Sequence, residues 1–251
     1  VSDLLWPDPA IGVFETLLIV DGSPIELQAH LERIGQSVRE LFGVKLPEGT
    51  RELALEHASP LPLGRLRLTV APSLDGVLGA DVVTATVDSE SVFPSWERSI
   101  ALSPFVVHGG IGAHKWADRT GLEWARSLES EGHLPLVLDA GREVLEASRA
   151  NVFAVEHEVL ITPAADGRIL PGVTRARVIE TAHSLGIELR EESLGLDRLI
   201  AAGEAFLTGS VRGVEPVRSV GESELRGCGD VVAGVVAELK KIWIGEDALN
   251  G

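Results

Sequence analysis

The sequence predicts an α+β fold. Two patterns carry that expectation. Short apolar runs with period-two alternation follow one another through tight turns, and only a few stretches repeat apolar residues at helical spacing. A doubly wound parallel sheet would instead alternate strand and helix regularly along the chain. With 251 residues, 45% of them apolar, the chain is long enough to bury a substantial core as one large domain or two small ones.

The elements read in order as follows. "GVFETLLIV" is a strand ended by Asp21-Gly22, and "PIELQ" returns, giving a hairpin. "AHLERIGQSVRELFG" places Leu31, Ile34, Val38, Leu41 and Phe42 at helical spacing, and Gly43 stops the helix. "RLRLTVA", "VVTATV" and "SIALSPFVV" supply further strands. A glycine-rich stretch at 109–112 interrupts the pattern and marks a domain junction. The expected division is a smaller α+β domain over 1–107, a linker over 108–113 and a larger domain over 114–251. Beyond the junction, "DRTGLEWARSLES" reads as a helix. "LPLVLD", "VLEAS", "NVFAVE" and "EVLIT" read as strands with turns at "AGR" and "EHE". "TRARVIETAHSLG" is a helix with Val178, Ile179, Ala182 and Leu185 on one face. "IELREE" and "EAFLTGS" are strands, and "VVAGVVAELKKIW" is a closing helix.

Charge and composition exclude several functions. The formal net charge is −16, and no basic stripe is visible, so nucleic acid is set aside. An anionic small molecule would bind only where arginines and helix N-termini make a local positive field. No apolar run is long enough to cross a bilayer and no secretion signal is visible. Cys228 is the single cysteine, which rules out an internal disulfide and fits a cytoplasmic setting. Tyrosine is absent, which removes it from the candidate catalytic groups.

Three stretches carry candidate chemistry. Lys115 is one of four lysines, set after the glycines between His114 and Trp116. A nucleophilic lysine needs burial or neighbouring cations to lose its proton. A surface lysine in a flexible linker is the plainer reading of this local sequence. In "ILPGVTRARV", Pro171 and Gly172 turn the chain, and Val173 and Thr174 open a helix whose N–H groups suit an anion; an ordinary capped helix is the plainer reading. Gly209 and Ser210 of "FLTGSVRGVEPV" follow a strand in a loop of similar character. Glu146 ends an apolar strand near Asn151 and needs a partner there, unless it is a solvated strand end. Arg33 sits off the apolar stripe of its helix, where exposure is the plain expectation. Phe14 and Thr16 share one strand face, and Glu15 points the other way among Val13, Leu17 and Ile19.

Taken in series, "GVFET…AHLER…K…LEASRANVF…ILPGVTR…FLTGSVRGVEPV" resembles the class IV aminotransferases, the fold-type IV enzymes that use pyridoxal 5′-phosphate (PLP). The resemblance runs from about residue 11 to residue 220 and is most specific between Glu146 and Thr174. It implies two α+β domains with the cofactor between them, a homodimer, PLP as cofactor and no metal. By matching motifs, Lys115 resembles the Schiff-base lysine that also moves a proton, and Glu146 the partner of the pyridine nitrogen. Arg33, Val173, Thr174 and Ser210 match phosphate-holding positions, with Gly209 and Val211 beside them. Leu170 matches the residue that packs on the ring, and Asn151 the asparagine of the pocket. Phe14, Thr16 and Val211 fall on the substrate side.

Within the family, Thr16 and the compact length look most like aminodeoxychorismate lyase, which makes 4-aminobenzoate and pyruvate for folate synthesis. Thr120 stands where branched-chain enzymes carry tyrosine, and "RLRLTVAPS" lacks the arginine that many relatives place at its end. Arg212, Arg67 and His108 are alternatives for holding the substrate carboxylate. A class IV aminotransferase acting on a branched-chain or D-amino acid, and a non-catalytic relative, are the other readings.

Overall fold

The computed structural model describes residues 7–245. It divides into two compact units: residues up to Ser89 together with His114–Gly121, and Glu90–Ala113 together with residues from Leu122 onward.

In the first unit, β1 (Val13–Val20), β2 (Ser23–Pro24), α1 (Leu27–Phe42), α2 (Thr50–Ala58), β3 (Leu63–Pro72) and β4 (Leu78–Thr86) follow in order. The sheet order is β2-β1-β3-β4, all antiparallel. The expected hairpin is shorter than the sequence suggests. Only Ser23 and Pro24 pair back, because Glu26 turns into the left-handed region (φ 55) and α1 starts at Leu27. Gly43 closes α1 in the left-handed conformation, as its position predicts. Helix α2 has little apolar periodicity and was not anticipated; Thr50, Ala54 and Ala58 are its buried line.

Segment 115–117 belongs to this unit because it docks alongside the start of β1. The Phe14 N–H donates to the Lys115 carbonyl at 2.8 Å, and Ala117 N–H to the Gly12 carbonyl at 2.9 Å, around a Val13–Trp116 bridge.

The second unit contains β5 (Ile100–Val106) and most of α3 (Thr120–Ser127), whose first residues fall on the other side of the division. Then come β6 (His133–Leu138), β7 (Glu143–Ala147), β8 (Ala150–Glu156), β9 (Val159–Thr162), α4 (Val173–Ser184), β10 (Leu189–Glu191), β11 (Leu194–Gly195), α5 (Leu196–Ala202), β12 (Glu204–Gly209), β13 (Gly213–Val220), β14 (Ser223–Glu224) and α6 (Asp230–Ile244). The ten-stranded sheet runs β10-β9-β8-β12-β13-β5-β6-β7-β11, with β14 beside β13. A further β7–β8 pairing closes β8, β12, β13, β5, β6 and β7 into a ring. Most neighbours are antiparallel, while β13–β5, β5–β6 and β10–β9 are parallel.

The observed division therefore differs from 1–107, 108–113 and 114–251, whose ends at 1–6 and 246–251 lie outside the described residues. Strand β5 joins the second sheet by parallel pairing with β6 and β13, and the lysine segment returns to the first unit. The glycine run still has a packing reason. Gly110 (φ 73) lies so close to Arg168 that a Cβ would stand 2.1 Å from its carbonyl oxygen.

The core of the ring is aliphatic: Leu102, Leu136, Val144, Val152, Ala154, Leu207 and Val217 are among its buried members. Alternation along β8 and β12 turns Asn151, Phe153, Phe206 and Thr208 to the opposite face, where Phe153 and Phe206 stack with centroids 5.0 Å apart. Helix α4 packs against β12. Val178 and Ala182 are buried as expected, but Leu185 lies beyond the helix end and is 44% exposed. In α6, Val232, Val235, Leu239 and Trp243 form the buried stripe. Among the described residues no helix is long and apolar enough to cross a membrane.

Candidate functional site

Two groups of candidate residues form, one in each unit. In the second unit, register creates the group. Glu146 of β7 is opposite Asn151 of β8, which is opposite Thr208 of β12, so three polar side chains share a row across adjacent strands. Glu146, Asn151 and Thr208 are all buried. Asn151 Nδ2 donates to the Leu170 carbonyl at 2.9 Å and to Glu146 Oε2 at 3.5 Å. The Leu170 N–H donates to the same carboxylate oxygen at 3.3 Å. Glu146 is thus a buried carboxylate held by an amide and a backbone N–H, and not a solvated strand end.

Leu170 leads into the turn before α4. Gly172 is its N-cap and brings no side chain to the first N–H groups of the helix. The residue there must be small: a Cβ on Gly172 would lie 2.0 Å from Asn151 Oδ1. Val173 and Thr174 open the helix, both buried. Thr174 Oγ1 lies 3.4 Å from Ser210 Oγ. Ser210 and Val211 occupy the turn after β12, and Gly209 pairs with Gly213 across it. The Thr208 hydroxyl is buried and has no hydrogen-bond partner.

Arg149 anchors the turn into β8. Its Nη2 donates to both oxygens of buried Glu215, at 2.9 and 2.8 Å. Arg212 Nη1 stands 3.4 Å from the same carboxylate, so this candidate carboxylate-binding residue has a structural partner of its own. His108, another candidate, is exposed.

In the first unit, Phe14 is buried and carries three cations around its ring. The Arg67 guanidinium is 3.9 Å from the centroid, Lys115 Nζ 5.0 Å and the Arg119 guanidinium 6.0 Å. Arg67 reaches it because β3 places it opposite Thr16. Lys115 is half-buried and sits on docked backbone, so the flexible-linker reading does not hold. Its neighbour His114 bonds to Ser37 on α1 (3.1 Å) and packs edge-on against Trp116.

Behind Phe14 lies a cluster the sequence reading missed. Glu15 is 1% exposed, on the face of β1 shared by Val13, Leu17 and Ile19. It accepts from Arg33 Nε (2.7 Å), Arg33 Nη2 (2.5 Å) and His30 Nδ1 (2.8 Å). Burial alone would raise the Glu15 pKa, but Arg33 and His30 overcome it and hold the carboxyl far below the usual carboxylate range. Burial lowers the His30 pKa; Glu15 opposes this, while Arg33 and Lys115 add to it. A neutral His30 therefore carries its proton on Nδ1, which faces the carboxylate. Arg33, expected exposed, has a side chain only 10% exposed. The visible signal was an acid on the apolar face of a strand, with His30 and Arg33 spaced i, i+3 on the next helix.

The second-unit residues suit a phosphorylated aromatic cofactor. An uncapped helix N-terminus with two converging hydroxyls fits a phosphate, and a buried carboxylate fits a protonated ring nitrogen.

Residues 12–220 match the family described as amino-transferase class IV. The branched-chain-amino-acid aminotransferase 1 of Arabidopsis thaliana, a mitochondrial protein, is 37% identical over 143 residues, 55% of this chain and 37% of that protein, so the match spans well under half of its length. A Rickettsia bellii protein named "Probable branched-chain-amino-acid aminotransferase" is 29% identical over 228 residues, 83% of this chain and 78% of that one. The crystal structure of 4-amino-4-deoxychorismate lyase from Pseudomonas aeruginosa superposes with a TM-score of 0.79 at 23% identity, covering 92% of this chain and 90% of that one. The family match over residues 12–220 shows that the chain belongs to the class IV aminotransferases, pyridoxal-phosphate-dependent enzymes, and the structural likeness shows the fold-type IV architecture.

Proposed function

We propose that the enzyme is a 4-amino-4-deoxychorismate lyase, converting its substrate into 4-aminobenzoate and pyruvate. The observation that carries the reading is the set of cations on Phe14. In a chain of net charge −16, Arg67 and Arg119 lie over one ring, beside the Lys115 amine assigned to the cofactor. That local field suits a substrate bearing two carboxylates, as this one does, and gives an apolar branched side chain nothing.

The roles follow residue by residue. Lys115 Nζ holds the cofactor and moves the α-proton. Glu146 keeps a proton on the pyridine nitrogen, with Asn151 and Leu170 N–H fixing the carboxylate. When bound, pyridoxal phosphate supplies an electron sink for the charge left on the substrate carbon. Arg33, Val173, Thr174 and Ser210, with Gly209, hold the phosphate, and Leu170 packs on the ring. Phe14, Thr16 and Val211 contact substrate, and Arg67 takes one of its carboxylates. The lyase reaction needs no second substrate, since 4-aminobenzoate and pyruvate together account for every atom consumed. The homodimer implied by the family resemblance belongs to the same reading.

A second reading, an aminotransferase for branched-chain or D-amino acids, is favoured by the names of the sequence relatives. Incubation with aminodeoxychorismate alone separates the two. Pyruvate released without a keto-acid acceptor supports the lyase. Turnover only of valine, leucine or D-alanine with 2-oxoglutarate refutes it. Lys115→Ala should lower turnover by about 10²–10⁴-fold and remove the visible absorbance band of the bound cofactor.

A further inference from the structure

The Glu15–His30–Arg33 cluster is expensive as mere packing. A buried acid paired with a buried base is commonly no more stable than apolar side chains of the same volume, and Glu15 sits in a column of Val13, Leu17 and Ile19 where an aliphatic residue would fit the strand. What the cluster does achieve is geometric. Glu15 takes Arg33 through Nε and Nη2 together, which fixes the plane of the guanidinium. His30, one turn earlier on α1, donates to the same carboxylate and is as fully buried, so a third hydrogen bond holds the carboxylate in place.

We propose that Glu15 and His30 are positioning residues for cofactor capture: they immobilise the Arg33 guanidinium before the phosphate of pyridoxal 5′-phosphate arrives. This rests on the reading of Arg33 as a phosphate-binding residue. A preset guanidinium loses no rotamer freedom on binding, so the fork strengthens binding of the phosphorylated cofactor specifically. Pyridoxal, which lacks the phosphate, gains nothing from it.

The test is the ratio of two dissociation constants, for pyridoxal and for pyridoxal 5′-phosphate, measured on the apoenzyme by tryptophan fluorescence. The wild type should prefer the phosphorylated form strongly. Glu15→Gln keeps the side-chain volume and loses the charge, and it should reduce the ratio about ten-fold or more while pyridoxal affinity changes little. His30→Gln still offers a donor and should retain most of the ratio. Should Glu15→Gln fail to fold, Glu15→Asp gives the same reading: it keeps the charge and leaves Arg33 in place but is one methylene too short for the fork, so the ratio should again fall about ten-fold. A ratio unchanged in Glu15→Gln, or in Glu15→Asp where that stands in for it, overturns the inference while leaving Arg33 on the phosphate. A wild-type ratio near one overturns the assignment of Arg33 as well.

Discussion

Glu15 and Arg33 form a two-bond fork inside the first unit, with Nε–Oε1 at 2.7 Å and Nη2–Oε2 at 2.5 Å. One residue comes from the apolar face of a strand and the other from the helix that follows it. Removing the acid strands two buried basic groups. Glu15→Ala should therefore destabilise the protein by about 3–5 kcal/mol, read as a lower urea midpoint at neutral pH.

His30 makes stability depend on pH in a set direction. Its folded-state pKa is lowered, chiefly by burial, with Glu15 on β1 opposing and Arg33 on α1 and Lys115 beside β1 adding to the shift. The unfolded chain then binds more protons than the folded one below the ordinary imidazole value of about 6.5. Stability should be flat above that pH and fall as pH drops through it. His30→Gln should flatten this slope in urea titrations between about pH 7.5 and 5.5. The Glu15 carboxyl, held below the usual range, adds stability that is lost only in stronger acid.

Gly172 is a site where one methyl group disturbs three partners. A Cβ there meets Asn151 Oδ1 at 2.0 Å, and Asn151 in turn bonds Leu170 and Glu146. Gly172→Ala should cost about 1–3 kcal/mol and leave the purified enzyme with less bound cofactor, measured from the visible absorbance relative to protein.

Thr208 gives the opposite stability effect. Its hydroxyl is buried beside the site without a partner. Thr208→Val should leave the apoenzyme as stable or more so, by up to about 1–3 kcal/mol, in thermal unfolding.

Arg67 tests the proposed substrate class directly. Arg67→Leu removes one cation from the Phe14 ring at a half-buried position and keeps an apolar side chain against that ring. It should lower kcat/KM for the dicarboxylate substrate by about 10–100-fold, mostly through KM, and leave cofactor affinity unchanged. An equal loss with an apolar amino acid as substrate would refute the anionic subsite.

The sequence by itself determined the α+β class, the strands with period-two alternation, α1 with its Gly43 stop, and the motif series that identifies the family. These are local properties, fixed by side-chain alternation, turn residues and fixed offsets such as Leu170 to Thr174. Only the tertiary structure decided where β5 and the lysine segment belong, since sheet partners are chosen by long-range pairing that no local period encodes. It also decided the fates of the charged residues. Arg33 looked exposed until Glu15 turned inward to meet it, and Arg212 looked available until it paired with Glu215. Arg67, Arg212 and His108 were equal candidates in the sequence, and only the β3 register set Arg67 beside Phe14. A charge is satisfied by whatever the fold brings within about 3 Å, and that distance is a property of packing.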